Sequence, residues 1–111
     1  MLFRSAAFLK NDSQGALAQA ERAIAADPAY AQVYDLAGAA LTKLGDATRA
    51  RAMFERSLTF DAHDSTAYTN LGLLALAGGN LSAARRLFAE ALWLDPESST
   101  ARQGLARVIR P

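Results

Sequence analysis

Residues 31–64, AQVYDLAGAALTKLGDATRARAMFERSLTFDAHD, lie without a gap on residues 65–98, STAYTNLGLLALAGGNLSAARRLFAEALWLDPES, and this self-match decides the fold. Tyr34 falls on Tyr68, Gly38 on Gly72, Gly45 on Gly79, Ala50 on Ala84, Arg51 on Arg85, Phe54 on Phe88, Leu58 on Leu92 and Asp61 on Asp95. Coincidences spread along the whole window mark an internal repeat of 34 residues, not a shared composition. The same shift carries backward, with Asp12 under Asp46, Ala16 under Ala50, Arg22 under Arg56, Ile24 under Leu58 and Asp27 under Asp61. A first copy therefore precedes the two complete ones, and its window would begin before Met1.

Apolar residues within a window recur at helical spacing: Tyr34, Ala37, Gly38 and Leu41, then Ala47, Ala50, Phe54 and Leu58. Two helices per window follow. Gly45-Asp46, Gly79-Asn80 and Asn11-Asp12 separate them, each pairing a residue that accepts the left-handed conformation with one able to cap the next helix. Asp27-Pro28 and Asp95-Pro96 end the second helix, because proline cannot continue the hydrogen-bond ladder and restricts the residue before it. Helices are expected near 1–10, 13–26, 31–44, 47–60, 65–78, 81–94 and 99–109.

This pattern resembles the tetratricopeptide repeat family. Tyr34 and Tyr68 stand at its large position in the first helix, and Gly38 and Gly72 at its small one. Ala16, Ala50 and Ala84 match the small position of the second helix, Phe54 and Phe88 the aromatic, Ala23, Ser57 and Ala91 the later small position, and Pro28 and Pro96 the closing proline. Ala20 and Ala62 depart from it. The resemblance implies an all-α solenoid of antiparallel helix hairpins wound as a right-handed superhelix: an incomplete repeat at 1–30, repeats at 31–64 and 65–98, and a capping helix at 99–111. Glycine and alanine let helix backbones cross closely, and an aromatic fills the space beside each crossing.

Composition narrows the function. About half of the 111 residues, 51%, are apolar, enough for a core without staples, and the absence of cysteine removes disulfides, thiolate nucleophiles and cysteine-held metals. It leaves the compartment open. Twelve basic and eleven acidic residues are scattered along the chain, unlike the concentrated basic face of a nucleic-acid binder. The apolar run from Ser5 to Leu9 is too short for a secretion signal or a membrane span. His63, between Asp61 and Asp64, is a single imidazole in a loop, without the further ligands that hold zinc. No nucleophile and base can be grouped, so no enzyme is expected and no cofactor or metal.

The resemblance implies that the first helix of each pair lines a concave groove that receives a peptide or partner-protein segment. By helical spacing that groove takes Gln32, Asp35, Ala39 and Thr42 from one repeat and Thr66, Thr69, Asn70, Leu73 and Leu76 from the next, with Ser5, Phe8 and Leu9 upstream. Some family members grip a C-terminal carboxylate with lysine, arginine and asparagine at matching sites. Asn70 alone fits, since Met1, Ser5, Leu36 and Thr66 cannot pair a carboxylate, so a chaperone-tail clamp is not expected. Arg49, Arg51, Arg56, Arg85 and Arg86 should form a solvated face on second helices, and Trp93 either covers the last helix or stays exposed.

The ends differ in character. Leu105, Val108 and Ile109 should pack while Arg102, Gln103, Arg107 and Arg110 face outward, as a solubilising last helix requires. Leu2, Phe3, Phe8 and Leu9 look uncapped, which suggests self-association through that edge or continuation of a longer protein. Beside the binding scaffold stand two alternatives: a structural or oligomerisation module, and the C-terminal repeat module of a larger protein.

Overall fold

A computed structural model of the chain describes residues 5–109, with side chains from Asp12 onward. Among the described residues the secondary structure is entirely helical: α1 (Ser5–Ala26), α2 (Ala31–Lys43), α3 (Ala47–Phe60), α4 (Ser65–Ala77), α5 (Leu81–Leu94) and α6 (Ser99–Val108). The chain forms two compact units, residues 1–60 and residues 61–111.

In the first unit, α1 and α3 both pack on α2. The α2–α3 turn ends with Gly45 at φ +86°, a left-handed conformation that suits glycine. The Gly45 N–H donates to the Thr42 carbonyl at 3.1 Å and the Asp46 N–H to the Leu41 carbonyl at 2.9 Å, closing a Schellman motif. Asp46 then accepts from the Arg49 N–H at 3.1 Å and so starts α3. The ring of Tyr34 stacks on Phe60 with centroids 5.4 Å apart, and its hydroxyl donates to the Pro28 carbonyl at 2.5 Å.

The second unit repeats these devices. Gly79 has φ +82°, its N–H donates to the Leu76 carbonyl and that of Asn80 to the Ala75 carbonyl, and the Asn80 side chain accepts from the Ala83 N–H at 3.2 Å. The buried cluster of Ala84, Phe88, Ala91 and Ala101 is the centre of this unit, with Leu105 and Val108 of α6 packed against it. Phe88 lies against two glycines, Gly72 on α4 and Gly104 on α6.

One turn chemistry recurs every 34 residues. Asp27, Asp61 and Asp95 each accept, through a side-chain oxygen, the N–H two residues on: Ala29 at 3.3 Å, His63 at 3.0 Å and Glu97 at 3.2 Å. Each carbonyl of these aspartates also accepts the N–H three residues on. The aspartate, not the proline, is common to all three, which explains why Ala62 makes the same turn as Pro28 and Pro96.

Two expectations are corrected. The turn foreseen at Asn11-Asp12 does not form, and α1 runs unbroken from Ser5 to Ala26. Asn11 stands in register with Gly45 and Gly79, but a left-handed residue with a Cβ is strained, and the chain stays helical instead. Ile109, expected to pack, caps α6 with 58% of its surface exposed. Arg102, Gln103 and Arg107 are exposed as anticipated, whereas Arg110 lies outside the described residues. Leu2 and Phe3 lie outside them as well, so the edge to which self-association was assigned is not described.

Candidate functional site

The face of α4 carries the densest group of expected contact residues. Asp64 caps this helix by accepting from the Thr66 and Ala67 N–H groups at 3.1 and 3.3 Å, which fixes where its first turn points. Thr66 is exposed, and Asn70, Leu73 and Leu76 are half-buried. Thr69 is only 8% exposed, with its hydroxyl donating back to the Ser65 carbonyl at 2.9 Å. It offers a ligand less than helical spacing alone suggests. Leu73 and Leu76 divide their surface, packing in part against the cluster around Phe88.

Thr66, Thr69 and Asn70 come together in a cleft of about 220 Å³, also lined by Ser65, Asp95, Ser98 and Thr100. The last three arrive from the α5–α6 turn and the start of α6. Sequence reasoning missed them because they come about 30 residues after the start of α4, beyond the reach of helical spacing, although Asp95 was already visible as a repeat position. Asp95 accepts from the Glu97 N–H, and the Ser98 hydroxyl accepts from the Ala101 N–H at 3.2 Å, so both are held in place by the turn they build. Among the described residues the cleft wall is five hydroxyls, one amide and one carboxylate, with no basic side chain. Such a wall can hydrogen-bond peptide N–H and C=O groups, and its one charge opposes an anionic ligand.

On α2, in the first unit, Gln32, Ala39 and Thr42 are exposed and Asp35 is half-buried. The Gln32 side chain accepts from the Tyr30 hydroxyl at 2.6 Å, and the Thr42 hydroxyl donates to the Gly38 carbonyl at 2.8 Å. Ser5, Phe8 and Leu9 fall in the opening turns of α1, and their side chains lie outside the described residues.

Other candidates behave as solvated groups. His63 is exposed in its turn, its backbone N–H held by Asp61. Among the described residues no group of three histidine, cysteine, aspartate or glutamate side chains is placed to hold a metal, and no helix is long and apolar enough to cross a membrane. Trp93 is 82% exposed, while its neighbour Leu92 packs against the α5 cluster. Arg51, Arg85 and Arg86 are exposed.

Comparison with solved structures yields the same fold. The second TPR domain of human RPAP3, in complex with the HSP70 peptide SGPTIEEVD, is 24% identical with a TM-score of 0.82, covering 94% of this chain and 87% of that one. The Arabidopsis OM64 TPR domain is 24% identical with a TM-score of 0.85, over 94% and 86% of the two chains. The first TPR of Spaghetti (RPAP3), bound to the HSP90 peptide SRMEEVD, is 19% identical with a TM-score of 0.84, over 91% and 80%. No curated protein matches the chain significantly. The family model for the tetratricopeptide repeat matches residues 31–64 and again 65–98, more than half of the sequence. With the glycine-and-phenylalanine crossings and the 34-residue turns already in place, this chain belongs to the tetratricopeptide repeat family.

Proposed function

We propose that the chain is a protein-interaction scaffold that receives a peptide segment of a partner on the first-helix faces of its repeats, and that it performs no catalysis of its own. The observation that carries this reading is the polar cleft on α4, where Thr66, Asn70, Ser98 and Thr100 bring neutral donors and acceptors together in one cleft. Leu73 and Leu76 extend the same face with apolar surface. In the first unit, Gln32, Asp35, Ala39 and Thr42 of α2 form a second polar face of the same kind, and Ser5, Phe8 and Leu9 belong to the proposal as upstream contacts.

Two structural relatives hold peptides that end in acidic residues, SGPTIEEVD and SRMEEVD. Here α4 contains no basic side chain and α2 contains one, Lys43 in its last turn. Asp95 adds a negative charge at the cleft. The ligand proposed is therefore a neutral or basic segment bound through its backbone, not an acidic chain end.

Titration of the isotope-labelled chain with neutral, basic and acidic peptides, the two above included, tests both halves of the reading. The expected result is movement of the Asn70 side-chain amide and the Thr66 and Thr100 backbone amides with neutral or basic peptides, reduced several-fold by Asn70→Ala. Tighter binding of SRMEEVD than of its amide-capped, acid-free counterpart would overturn the ligand class. Silence at these residues with every peptide would remove the site.

A further inference from the structure

A second cleft lies in the first unit, on a different side of α2 from Gln32, Ala39 and Thr42. It has a volume of about 310 Å³ and is bounded by three helical stripes: Leu17, Glu21 and Ile24 of α1, Tyr34, Ala37 and Leu41 of α2, and Arg49, Met53 and Arg56 of α3. Each stripe follows the three- and four-residue steps that bring side chains to one face of a helix. Both α1 and α3 pack on α2 without packing backbone to backbone on each other, which leaves the space between them open. The 34-residue register also places Ala20 where Phe54 and Phe88 stand, so α1 puts a methyl there, buried with Val33 and Ala37 beside the cleft.

The floor is apolar and the rim is charged. Tyr34, Ala37 and Leu41 are buried, Leu17, Ile24 and Met53 keep part of their apolar surface, and Glu21, Arg49 and Arg56 are exposed. Among the described residues Glu21 is the only carboxylate lining the cleft, and Arg49 already meets it at 3.5 Å and Asp46 at 3.9 Å. Arg56 makes no ion pair among the described residues. The rim thus carries net positive charge from two guanidiniums seven residues apart on one helix, about 10 Å at the rise of an α-helix.

From this geometry we infer that the cleft between α1 and α3 is a docking site for a helical segment of a partner protein bearing one bulky apolar side chain between two carboxylates. The apolar side chain enters over Tyr34 and Leu41 beside Met53, and the carboxylates meet Arg49 and Arg56. An apolar anchor held in a groove with oppositely charged flanks is the arrangement by which amphipathic helices seat on helical proteins. The inference rests on no part of the α4 cleft, whose wall is polar and whose charge is negative.

The probe is a capped alanine-based helical peptide with glutamates seven residues apart and one leucine between them. Titration into the methyl- and amide-labelled full chain should shift the Ile24, Leu17 and Met53 methyls and leave the Asn70 and Thr100 backbone amides still. Arg49→Glu combined with Arg56→Glu should weaken binding roughly tenfold or more, at unchanged helicity, because both side chains are exposed. Raising the salt concentration should weaken binding to the unmodified chain in the same direction, a readout that needs no variant. The inference is overturned if a peptide with lysines in place of the glutamates binds equally well, if those methyls stay unmoved at millimolar peptide, or if decanoate occupies the cleft while the peptide does not.

Discussion

The ring of Phe88 rests on the bare backbone of Gly72, so closely that a β-carbon on the glycine would sit 2.7 Å from it. Gly38 stands in the same relation to Phe54, also at 2.7 Å, one period earlier. Phe88 is fully buried and cannot swing away, so Gly72→Ala forces the helices apart. The helix-propensity gain of about 1 kcal/mol is smaller than an overpacking cost of about 1–3 kcal/mol, and net destabilisation is expected. Gly15→Ala, in α1 with nothing within 4 Å of the new methyl, should instead stabilise by about 0.5–1 kcal/mol. Urea melts of the two variants check the opposite signs, and a stabilised Gly72→Ala would refute the crossing.

The aspartate turns make a separate claim. Since Ala62 occupies the place of Pro28 and Pro96 in the same hydrogen-bonded turn, Ala62→Pro should stabilise by about 0.4–1 kcal/mol through the unfolded chain. Asp61→Ala, which removes the acceptor of the His63 N–H, should cost about 0.5–1.5 kcal/mol. Thermal unfolding followed by circular dichroism would show a raised midpoint for the first variant and a lowered one for the second.

The Glu21–Arg49 pair should contribute almost nothing to stability. Its side chains are 56% and 55% exposed, the distance is 3.5 Å, and exposed pairs of this kind are worth about 0–1 kcal/mol. Glu21→Gln is expected to leave the urea midpoint within error. In the peptide experiment above, the same change should tighten binding of the acidic probe by removing the rim's one negative charge.

Trp93 invites an error that its exposure prevents. An 82% exposed indole should be quenched freely by acrylamide in the folded protein, and Trp93→Ala should alter stability by no more than about 0.5 kcal/mol. A large loss on that substitution would mean that the ring is covered in solution by another molecule.

The repeat was legible because it is written in residues whose roles are steric and local. Gly45 and Gly79 take positive φ, Asn80 caps α5, and Phe88 meets Gly72, all as the register implies. Asn11 shows the limit, since a residue that tolerates the left-handed turn does not impose it, and α1 ran through. Thr69 shows another, because helical spacing gives a direction but not the neighbour that covers it. Asp95, Ser98 and Thr100 reach the α4 cleft only through folding of the chain after α5. The cleft of α1 and α3 was wholly invisible, for it depends on which helices leave a gap and not on any motif.

Every joint at Asp27, Asp61 and Asp95 closes through bonds that span two or three residues. Bonds that short do not wait for distant parts of the molecule; they can form on the sub-microsecond scale of small-loop closure, long before side chains interlock. Each of these turns can therefore close without waiting for the helices on either side to pack. Turns that close this locally favour a short search for the native state.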